Sequence, residues 1–457
     1  MIVHSSKSDP PKRPAPTPGL PKLSAQTVKK IHHFCGVCHE YPSADVFPRR
    51  YWRHEVERGF GFAIEHPEMK FDKPSIEDTV RYYQDRAPRE LAHVDIKTSD
   101  HPLNVRFEKI VYPGPKVPDQ YAISNVNLVH LPRPGDGKKK PLDILATDMA
   151  AGLVMTLRPS DPSPSWKILA RISNPARTFV TDLDRDGKHD ILVANLGSFP
   201  RTDDRCVRGD WMGGKGNGEY EAITLLDKVG RVSDVRAADF RGTGELDLVV
   251  SVFGWKKSGQ LIYLKNVTTD WGKPQFEPRV LDKRHGAIHT PLIDLNGDAK
   301  RDFIALIAQE DEVIIGFIND GKETFRRDVI YKAPHPAYGS SGIELADLDA
   351  DGKQDILYTN GDILDPPYLF KPYHSVQWLK NMGQMRFEHQ KLSPMVGAHA
   401  ATSADVTGDG RRDVLAVSFL PGKKFPDREE RKSPAILLFE QNASSNYETH
   451  VLSSIEC

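Results

Sequence analysis

The sequence predicts a mainly β protein built from similar four-stranded units and preceded by a small helical segment. Three features predict this: an acidic loop that occurs five times, a β-branched strand directly after each loop, and an earlier segment of helical periodicity. The first aspartates of the loops stand at positions 182, 239, 294, 347 and 405, so successive copies are 57, 55, 53 and 58 residues apart. A unit of this size cannot bury its apolar face alone and has to pack against its neighbours.

Composition narrows the class of protein. The chain has 457 residues, of which 39% are hydrophobic and 27% charged, which is typical of a globular protein with a sizeable core. The 62 basic and 63 acidic residues nearly cancel, so bulk charge does not favour a nucleic acid or a membrane surface as partner. No apolar run approaches the ~20 residues of a membrane span. Four cysteines are too few for a disulfide framework.

The chain divides into three parts. Residues 1–25 are rich in proline and lack the apolar core of a secretion signal, so we expect a disordered leader. Residues 26–100 are predicted to be helical, because apolar residues recur three to four positions apart in 51–56 and 76–83 and Ser75 is placed to cap the second of these helices. From about residue 103 to 457, short β runs alternate with Gly, Pro and Asp.

Each repeat contains other shared elements besides the acidic loop. A strand ending in Asn follows the loop, as at Asn266, and an aromatic-led strand comes next, such as FEPRVL from Phe276. Four antiparallel strands per repeat, arranged radially, predict a β-propeller. Residues 126–149 are a degenerate sixth copy. The aromatic-led segment 106–111 either completes the last blade or belongs to a seventh; six blades are favoured.

The acidic loops are candidate calcium sites. Ca²⁺ takes six to eight oxygen ligands, and oxygens at positions 1, 3, 5 and 9 of a tight loop suit it. The predicted ligands are Asp182, Asp184, Asp186 and Asp190; Asp294, Asn296, Asp298 and Asp302; Asp347, Asp349, Asp351 and Asp355; and Asp405, Thr407, Asp409 and Asp413. About three to four ions are expected, for stability rather than chemistry. The alternative is that these residues only form turns. The copy at 239 carries Arg241 and is predicted to be metal-free.

The acidic loop, β-branched strand and Asn-ending strand together resemble the FG-GAP or VCBS repeat family over about residues 105–457. The resemblance implies an integrin-like β-propeller with calcium in these loops. It implies function only weakly, because one propeller fold hosts unrelated activities.

The second strong motif is Cys35-Gly-Val-Cys38-His39. Two thiols at this spacing can form thioethers to one haem, and the adjacent histidine can ligate its iron, so the motif predicts covalent haem c. A zinc site would need a second ligand pair, and Cys206 and Cys457 are isolated. A thioredoxin-type pair would need an α/β unit, whereas the surroundings are predicted to be helical.

Residues 26–90 also resemble the small cytochrome c-like segment that precedes VCBS propellers in some bacterial proteins. The shared features are the CxxCH motif, Trp52 on a helix and the later Tyr82-Tyr83. The methionine expected after that helix is absent, since the stretch reads RGFG from Arg58. Met69 is the favoured distal ligand, and a methionine would raise the reduction potential of the haem. The alternatives are His66 or His54, which would lower the potential, and an empty position, which would let small ligands bind.

These features predict an extracytoplasmic c-type cytochrome fused to a calcium-stabilised propeller that docks an unknown redox partner or substrate. The location would be the periplasm or the cell surface, where Cys206 and Cys457 are candidates for a disulfide. One alternative is an adhesin or glycan-binding propeller with an accessory haem; another is a propeller-borne, haem-dependent oxidoreductase. Five histidines lie near predicted blade entrances, where they could line a channel mouth, although ordinary loop positions are favoured: His285, His289, His335, His374 and His399.

Overall fold

The structure is a computed structural model that describes residues 22–37, 39–65, 70, 72–117, 120–137, 140–198, 203, 207–255, 257–364 and 366–454. Most of the predicted leader, residues 1–21, lies outside the described residues. Three α-helices come first: α1 (Ala25–Cys35), α2 (Trp52–Glu65) and α3 (Ile76–Gln84). Short 3₁₀ turns at Ala44–Val46 and Arg49–Tyr51 separate α1 from α2. Among the described residues, no helix is long and apolar enough to cross a membrane.

The helices pack around an aromatic core of their own. Ser75 caps α3 as predicted, since its hydroxyl accepts a hydrogen bond from the Asp78 amide at 3.0 Å. Trp52 at the start of α2 stacks on Tyr83 of α3, with ring centroids 3.8 Å apart. Phe34 of α1 contacts Phe60 of α2. The helical segment is therefore a compact unit in which the CxxCH motif follows directly from a packed helix.

Six antiparallel sheets follow, which we number as blades I to VI in chain order. Blade I contains β1 to β4: Ile123–Val129, Asp143–Asp148, Leu153–Leu157 and Lys167–Arg171. Blade II contains β5 to β8: Pro175–Thr181, Asp190–Asn195, Val207–Gly214 and Tyr220–Val229. Blade III contains β9 to β12: Val232–Ala238, Asp247–Val252, Gln260–Asn266 and Phe276–Asp282.

The first strand of blade IV is split into two short pieces, so this blade has five strands. Blade IV contains β13 to β17: Ala287–His289, Leu292–Ile293, Asp302–Ile307, Val313–Asn319 and Phe325–Lys332. Blade V contains β18 to β21: Ser340–Ala346, Asp355–Asn360, Ser375–Asn381 and Phe387–Pro394. Blade VI contains β22 to β25: Ala398–Ala404, Asp413–Ser418, Ile436–Gln441 and Tyr447–Ser453.

The predicted fold class is confirmed: the chain is mainly β, with a six-bladed propeller after a small helical region. The degenerate copy at 126–149 is the inner part of blade I, as expected. The prediction of a strand at 106–111 is wrong, because these residues form no strand hydrogen bonds. The segment has an outer-strand sequence but no neighbouring strand to pair with.

Strand direction places the two candidate sites on opposite faces. Neighbouring strands within a blade are antiparallel, so the loops between first and second strands all open on one face. The acidic loops are in this position. The helical core instead contacts Ala337, Leu369 and Tyr373, which lie on connections from the fourth strand to the next blade or from the second strand to the third. The CxxCH unit therefore sits on the face opposite the acidic loops.

Candidate functional site

The acidic loop of blade II brings three carboxylates together. Oxygens of Asp182, Asp184 and Asp190 all lie within 4.8 Å of one another. Gly187 has φ of +84°, a left-handed conformation that lets the loop fold back on itself. Its amide donates to the second oxygen of Asp182 at 3.1 Å. The turn therefore aims three anionic side chains at one point.

The electrostatics of this cluster fit a hard cation. Asp182 Oδ1 is buried and has no hydrogen-bond partner among the residues that the structure describes. Burial, and then the neighbouring carboxylates, raise the pKa of Asp184. Burial likewise raises the pKa of Asp190. Three converging carboxylates with an unpartnered oxygen are the donor set that Ca²⁺ accepts.

Blade V repeats this cluster with one addition. Oxygens of Asp347, Asp349 and Asp355 lie within 4.8 Å of one another, and within the described part of the chain the buried Asp349 Oδ1 has no hydrogen-bond partner. Burial raises the pKa of Asp355 to about 6. Here Lys380 Nζ lies 2.5 Å from Asp349 Oδ2, so an ammonium already neutralises part of the charge. The residue of blade II at the position equivalent to Lys380 is Gly213, which has no side chain to do this.

The fifth position of these loops faces a basic residue two positions later. Asp298 pairs with Lys300 at 2.9 Å, and Asp351 with Lys353 at 2.7 Å. Equivalent pairs are Asp186 with Lys188 and Asp409 with Arg411. In blades II and V the side chains at loop positions 1, 3 and 9 therefore point toward one another, whereas the side chain at position 5 pairs with a lysine. Metal ligation by position 5 stays a prediction.

The loops of blades IV and VI bring fewer carboxylates together. Asp294 accepts hydrogen bonds from the amides of Gly297 and Ala299, and Ala299 takes the left-handed conformation with φ of +64°. Asp405 accepts amide hydrogen bonds within its own loop in the same way. Thr407 Oγ1 is buried without a partner. These two loops keep the turn, while their third position is an amide or a hydroxyl.

Blades I and III place an arginine where blades II and V have the carboxylate cluster. Arg241 Nε donates to Asp247 at 2.9 Å, and the Tyr263 hydroxyl donates to the same carboxylate at 2.7 Å. In blade I, Arg158 donates to both oxygens of Asp143 at 3.1 and 2.9 Å. The guanidinium groups supply the positive charge at these turns.

The last aspartate of every loop has a structural role that is independent of metal. In blades II, IV, V and VI its side chain accepts hydrogen bonds from a backbone amide of its own loop and from an amide at the end of the third strand. In blade III the third-strand amide of Asn266 donates in the same way, while Arg241 takes the place of the loop amide. In blade IV, for example, Asp302 accepts from the amides of Leu295 at 2.8 Å and Asn319 at 2.7 Å. The last aspartate thus ties the loop to the end of the third strand through backbone amides, whichever residue stands there.

Sequence reasoning missed two of these basic residues. Arg158 directly follows the third strand of blade I, outside the loop segment on which the repeats were aligned. Lys380 precedes the recurrent Asn381, but the same position in blade III is Lys265, which pairs with Glu323 at 2.7 Å instead. The sequence alone therefore does not show that Lys380 contacts the acidic loop of its own blade and that Lys265 does not; the contacts in the folded sheet show it.

The Cys-x-x-Cys-His motif begins at the last residue of α1. Cys35 is the last residue of the helix. The backbone of Gly36 then passes close to its neighbours: a Cβ on residue 36 would lie 3.1 Å from the His32 carbonyl oxygen and 3.4 Å from Tyr41 Cβ. His39 Nδ1 lies 2.8 Å from the Glu40 carbonyl oxygen, so this nitrogen carries the proton and Nε2 is left as an acceptor. Cys38 lies outside the described residues.

The surroundings of Cys35 are aromatic and half-buried. Burial raises the pKa of its thiol to about 11, and the neighbouring Tyr83 hydroxyl partly offsets this. A thiol and an imidazole that presents Nε2, four residues apart in the sequence, fit the donor set of haem c attachment. Of the candidate distal ligands, Met69 and His66 lie outside the described residues, and His54 is exposed on α2.

The histidines predicted near blade entrances form separate groups. His289 lies on the inner strand β13, where burial and then Arg177 and Arg236 hold its pKa well below the usual range; His399 lies on the inner strand β22. His335 and His374 are buried beside the helical segment, and His285 pairs with Glu310 at 2.7 Å. They do not line one channel mouth. Cys206 and Cys457 lie outside the described residues.

Comparison with known proteins supports the repeat. The family described as FG-GAP-like repeat matches residues 182–250 and 294–358, which include the loops of blades II to V. No curated protein matches the chain. One similar solved structure is that of the V. cholerae biofilm matrix protein Bap1, at 16% sequence identity and a TM-score of 0.37. That similarity covers 68% of this chain and 45% of the other, and is too low to bear on function.

Proposed function

We propose that the chain is an extracytoplasmic c-type cytochrome whose haem-bearing helical unit is mounted on a calcium-stabilised β-propeller. The observation that supports this most directly is the His39 tautomer. Its Nδ1–H donates to the Glu40 carbonyl at 2.8 Å and leaves Nε2 as the free ligand atom. A haem attached here would supply one-electron redox chemistry.

The two cysteines and the histidine have separate tasks in this proposal. Cys35 and Cys38 would hold the haem through thioether bonds, formed by addition of each S–H to a vinyl group, next to the end of α1. His39 would ligate the iron through Nε2, and the hydrogen bond from its Nδ1 to the Glu40 carbonyl restricts rotation of the imidazole. Tyr41, Tyr82 and Tyr83 provide an aromatic wall beside Cys35 that excludes water.

The propeller orients this unit toward a partner. Lys332 at the end of β17 pairs with Glu40 at 2.6 Å, one residue from His39. Leu369 and Tyr373 of blade V pack against the helical core. A haem bound at this motif would lie on the face opposite the acidic loops, and in this proposal that face docks the redox partner or substrate. The location that suits covalent haem attachment is the periplasm or the cell surface.

The test is a pyridine haemochrome spectrum of protein produced with a cytochrome c maturation system. The haem should stay with the protein after acid–acetone extraction. Cys35→Ala with Cys38→Ala should abolish it, and Cys457→Ala, a cysteine outside the motif, should leave it unchanged. Haem that is absent, or that is extracted from the wild-type chain, would refute the proposal.

The sixth position of the iron is then tested by carbon monoxide. No spectral change on adding carbon monoxide to the reduced protein indicates a closed site. In that case Met69→Ala, His66→Ala or His54→Ala should open it, and the variant that does identifies the ligand. Carbon monoxide binding by the wild type would mean an empty position and would favour a catalyst over a carrier.

A further inference from the structure

The first strands of the blades line the channel at the centre of the ring. Their neighbours in the ring contact one another from β1 of blade I round to β22 of blade VI. In every blade the pairing of the first strand with the second has an irregularity, and the residue directly after it stands at an equivalent position. We call this the ring position, and its six residues are Asn125, Arg177, Asp234, His289, Gly342 and Ala400.

Three residues at the ring position tie one blade to the next. Each accepts a hydrogen bond from a backbone amide of the following blade: Asn125 from Thr178 at 3.1 Å, Asp234 from Thr290 at 2.9 Å and His289 from Ile343 at 3.2 Å. Gly342 and Ala400 have no polar side chain. Arg177 differs from all five, because a guanidinium only donates hydrogen bonds and cannot accept one from an amide. The side chain of Arg177 therefore takes no part in this bonding between blades.

Arg177 is a cation in the channel without a hydrogen-bonded counter-charge. Its side chain is 24% exposed, and its Nε lies 3.9 Å from Asp234 Oδ1, too far for a hydrogen bond. That carboxylate already accepts from Arg236 Nε, at 3.1 and 3.2 Å, and from the amides of Val235 and Thr290. Burial lowers the pKa of Arg177, as expected for a cation short of counter-charge. In the described part of the chain, its guanidinium makes no hydrogen bond.

Two further donors lie beside Arg177. His289 accepts the Ile343 amide at Nδ1, so its proton is on Nε2. Arg236 uses Nε for Asp234, and its terminal nitrogens make no hydrogen bond to any residue that the structure describes. Burial and then the charges of Arg177 and Arg236 hold the pKa of His289 low, because the three side chains are close together. Donors from three successive blades thus lie in one stretch of the channel without acceptors.

Glu344 on β18 is the opposing charge in this stretch. It is not ion-paired with Arg177 within the described residues, and its Oε1 accepts from the Thr402 hydroxyl at 2.7 Å and the Ser403 amide at 3.3 Å. Burial raises the pKa of Glu344. A carboxylate nearby disfavours a ligand with two or more negative charges. A single carboxylate group suits the site better, since its two oxygens match the planar fork of a guanidinium.

We propose that Arg177 binds the carboxylate group of a small organic acid in the channel, with the terminal nitrogens of Arg236 and the Nε2–H of His289 as further donors. The ligand would supply the counter-charge that Arg177 lacks and the acceptors that the other two donors lack. The site lies on the inner strands of blades II to IV, and its binding does not depend on a haem at the CxxCH motif.

The probe is acetate, titrated into the full chain at an ionic strength held constant with sodium chloride. Saturation-transfer NMR on the acetate methyl group measures binding. We expect saturable binding to the wild type and an affinity at least about tenfold lower in Arg177→Met. The matched control is Arg326→Met, which removes an exposed guanidinium from the outer strand β17 and should leave the affinity unchanged.

The stability of Arg177→Met separates a binding role from a structural one. Because Arg177 is a buried cation without a bonded counter-charge, its replacement by an apolar side chain should leave the melting temperature unchanged or raise it. A variant that loses stability together with acetate binding would show that Arg177 supports the fold, and would overturn the proposal.

Three results of the titration would also overturn it. One is a wild type that shows no saturable binding of acetate. Another is an Arg177→Met protein that binds acetate as tightly as the wild type does. The third is inorganic phosphate that displaces acetate at concentrations below the Kd of acetate itself, which would mean a tetrahedral oxyanion site rather than a carboxylate site.

Discussion

Blades II and III handle the same buried charge in different ways. Each has an aspartate at the start of its second strand, Asp190 and Asp247, that is at most 1% exposed. In blade III, Arg241 lies against Asp247. In blade II, two further carboxylates point toward Asp190, so the turn concentrates negative charge. The contrast teaches that the same buried aspartate is accommodated in two ways. Blade III pairs it with a guanidinium, whereas blade II adds two carboxylates, an arrangement that we expect a bound cation to stabilise because an unpaired buried carboxylate is costly.

Removing the side-chain cation should have the largest effect. Arg241→Met leaves Asp247 buried without a counter-charge, so we expect the free energy of unfolding to fall by about 3–5 kcal/mol. Chemical denaturation measures the loss. Lys265→Met, which removes a half-exposed ion pair in the same blade, should cost less than about 1 kcal/mol. Equal losses in the two variants would contradict the proposed role of Arg241.

A proton is a third way to neutralise a buried carboxylate. Glu312 is 4% exposed, and burial raises its pKa to about 7. Because the folded pKa is the higher one, stability is complete below the unfolded pKa of about 4.5 and is lost as the pH rises to about 7. The loss should be on the order of 3 kcal/mol. In Glu312→Gln the slope of stability against pH over this range should be reduced; an unchanged slope would exclude Glu312 as its source.

Calcium should stabilise the clusters of blades II and V. At a calcium concentration 100 times Kd, one site adds about 2.7 kcal/mol. We expect a chelator to lower the melting temperature and calcium to restore it. Asp182→Asn and Asp347→Asn should each reduce the gain. Asp320→Asn, at an exposed aspartate outside the loops, is the control, and a calcium response that all three variants share with the wild type would argue against these sites.

Replacing Lys380 should have the smallest effect, and it should strengthen calcium binding rather than weaken it. Its ammonium competes with a cation for Asp349, so Lys380→Met should raise the calcium affinity of blade V by roughly tenfold, or about 1.4 kcal/mol. Titration with terbium and its luminescence measures the change. Lys265→Met serves as the control at the equivalent position of blade III. A weaker site in Lys380→Met would mean that the lysine supports the loop rather than competing.

Much of the fold could be predicted because the acidic loop and the strand after it recur along the sequence at similar intervals. The intervals between acidic loops and the alternation of strands identify the blades, and six of them are present. The segment 106–111 was expected to be a strand for the same reason. It forms none, because a strand also needs a partner to accept its hydrogen bonds, and no local pattern reports whether that partner exists.

The candidate sites were predictable to a smaller extent. Position in the loop identified Asp182, Asp184 and Asp190, which the structure brings together. It did not reveal that Asp186 turns to Lys188, because side-chain direction depends on the fold of the turn. The pairing of Arg158 with Asp143 joins two strands of one sheet, which spacing along the chain does not show.

The sequence by itself determined the repeated unit, the CxxCH motif and the oxygen-rich loops, since these depend on residue type and local spacing. Tertiary structure decided which charges meet and which face of the propeller holds the helical unit. These depend on contacts between residues far apart in the chain, such as Glu40 with Lys332, and such contacts form only when the blades pack together.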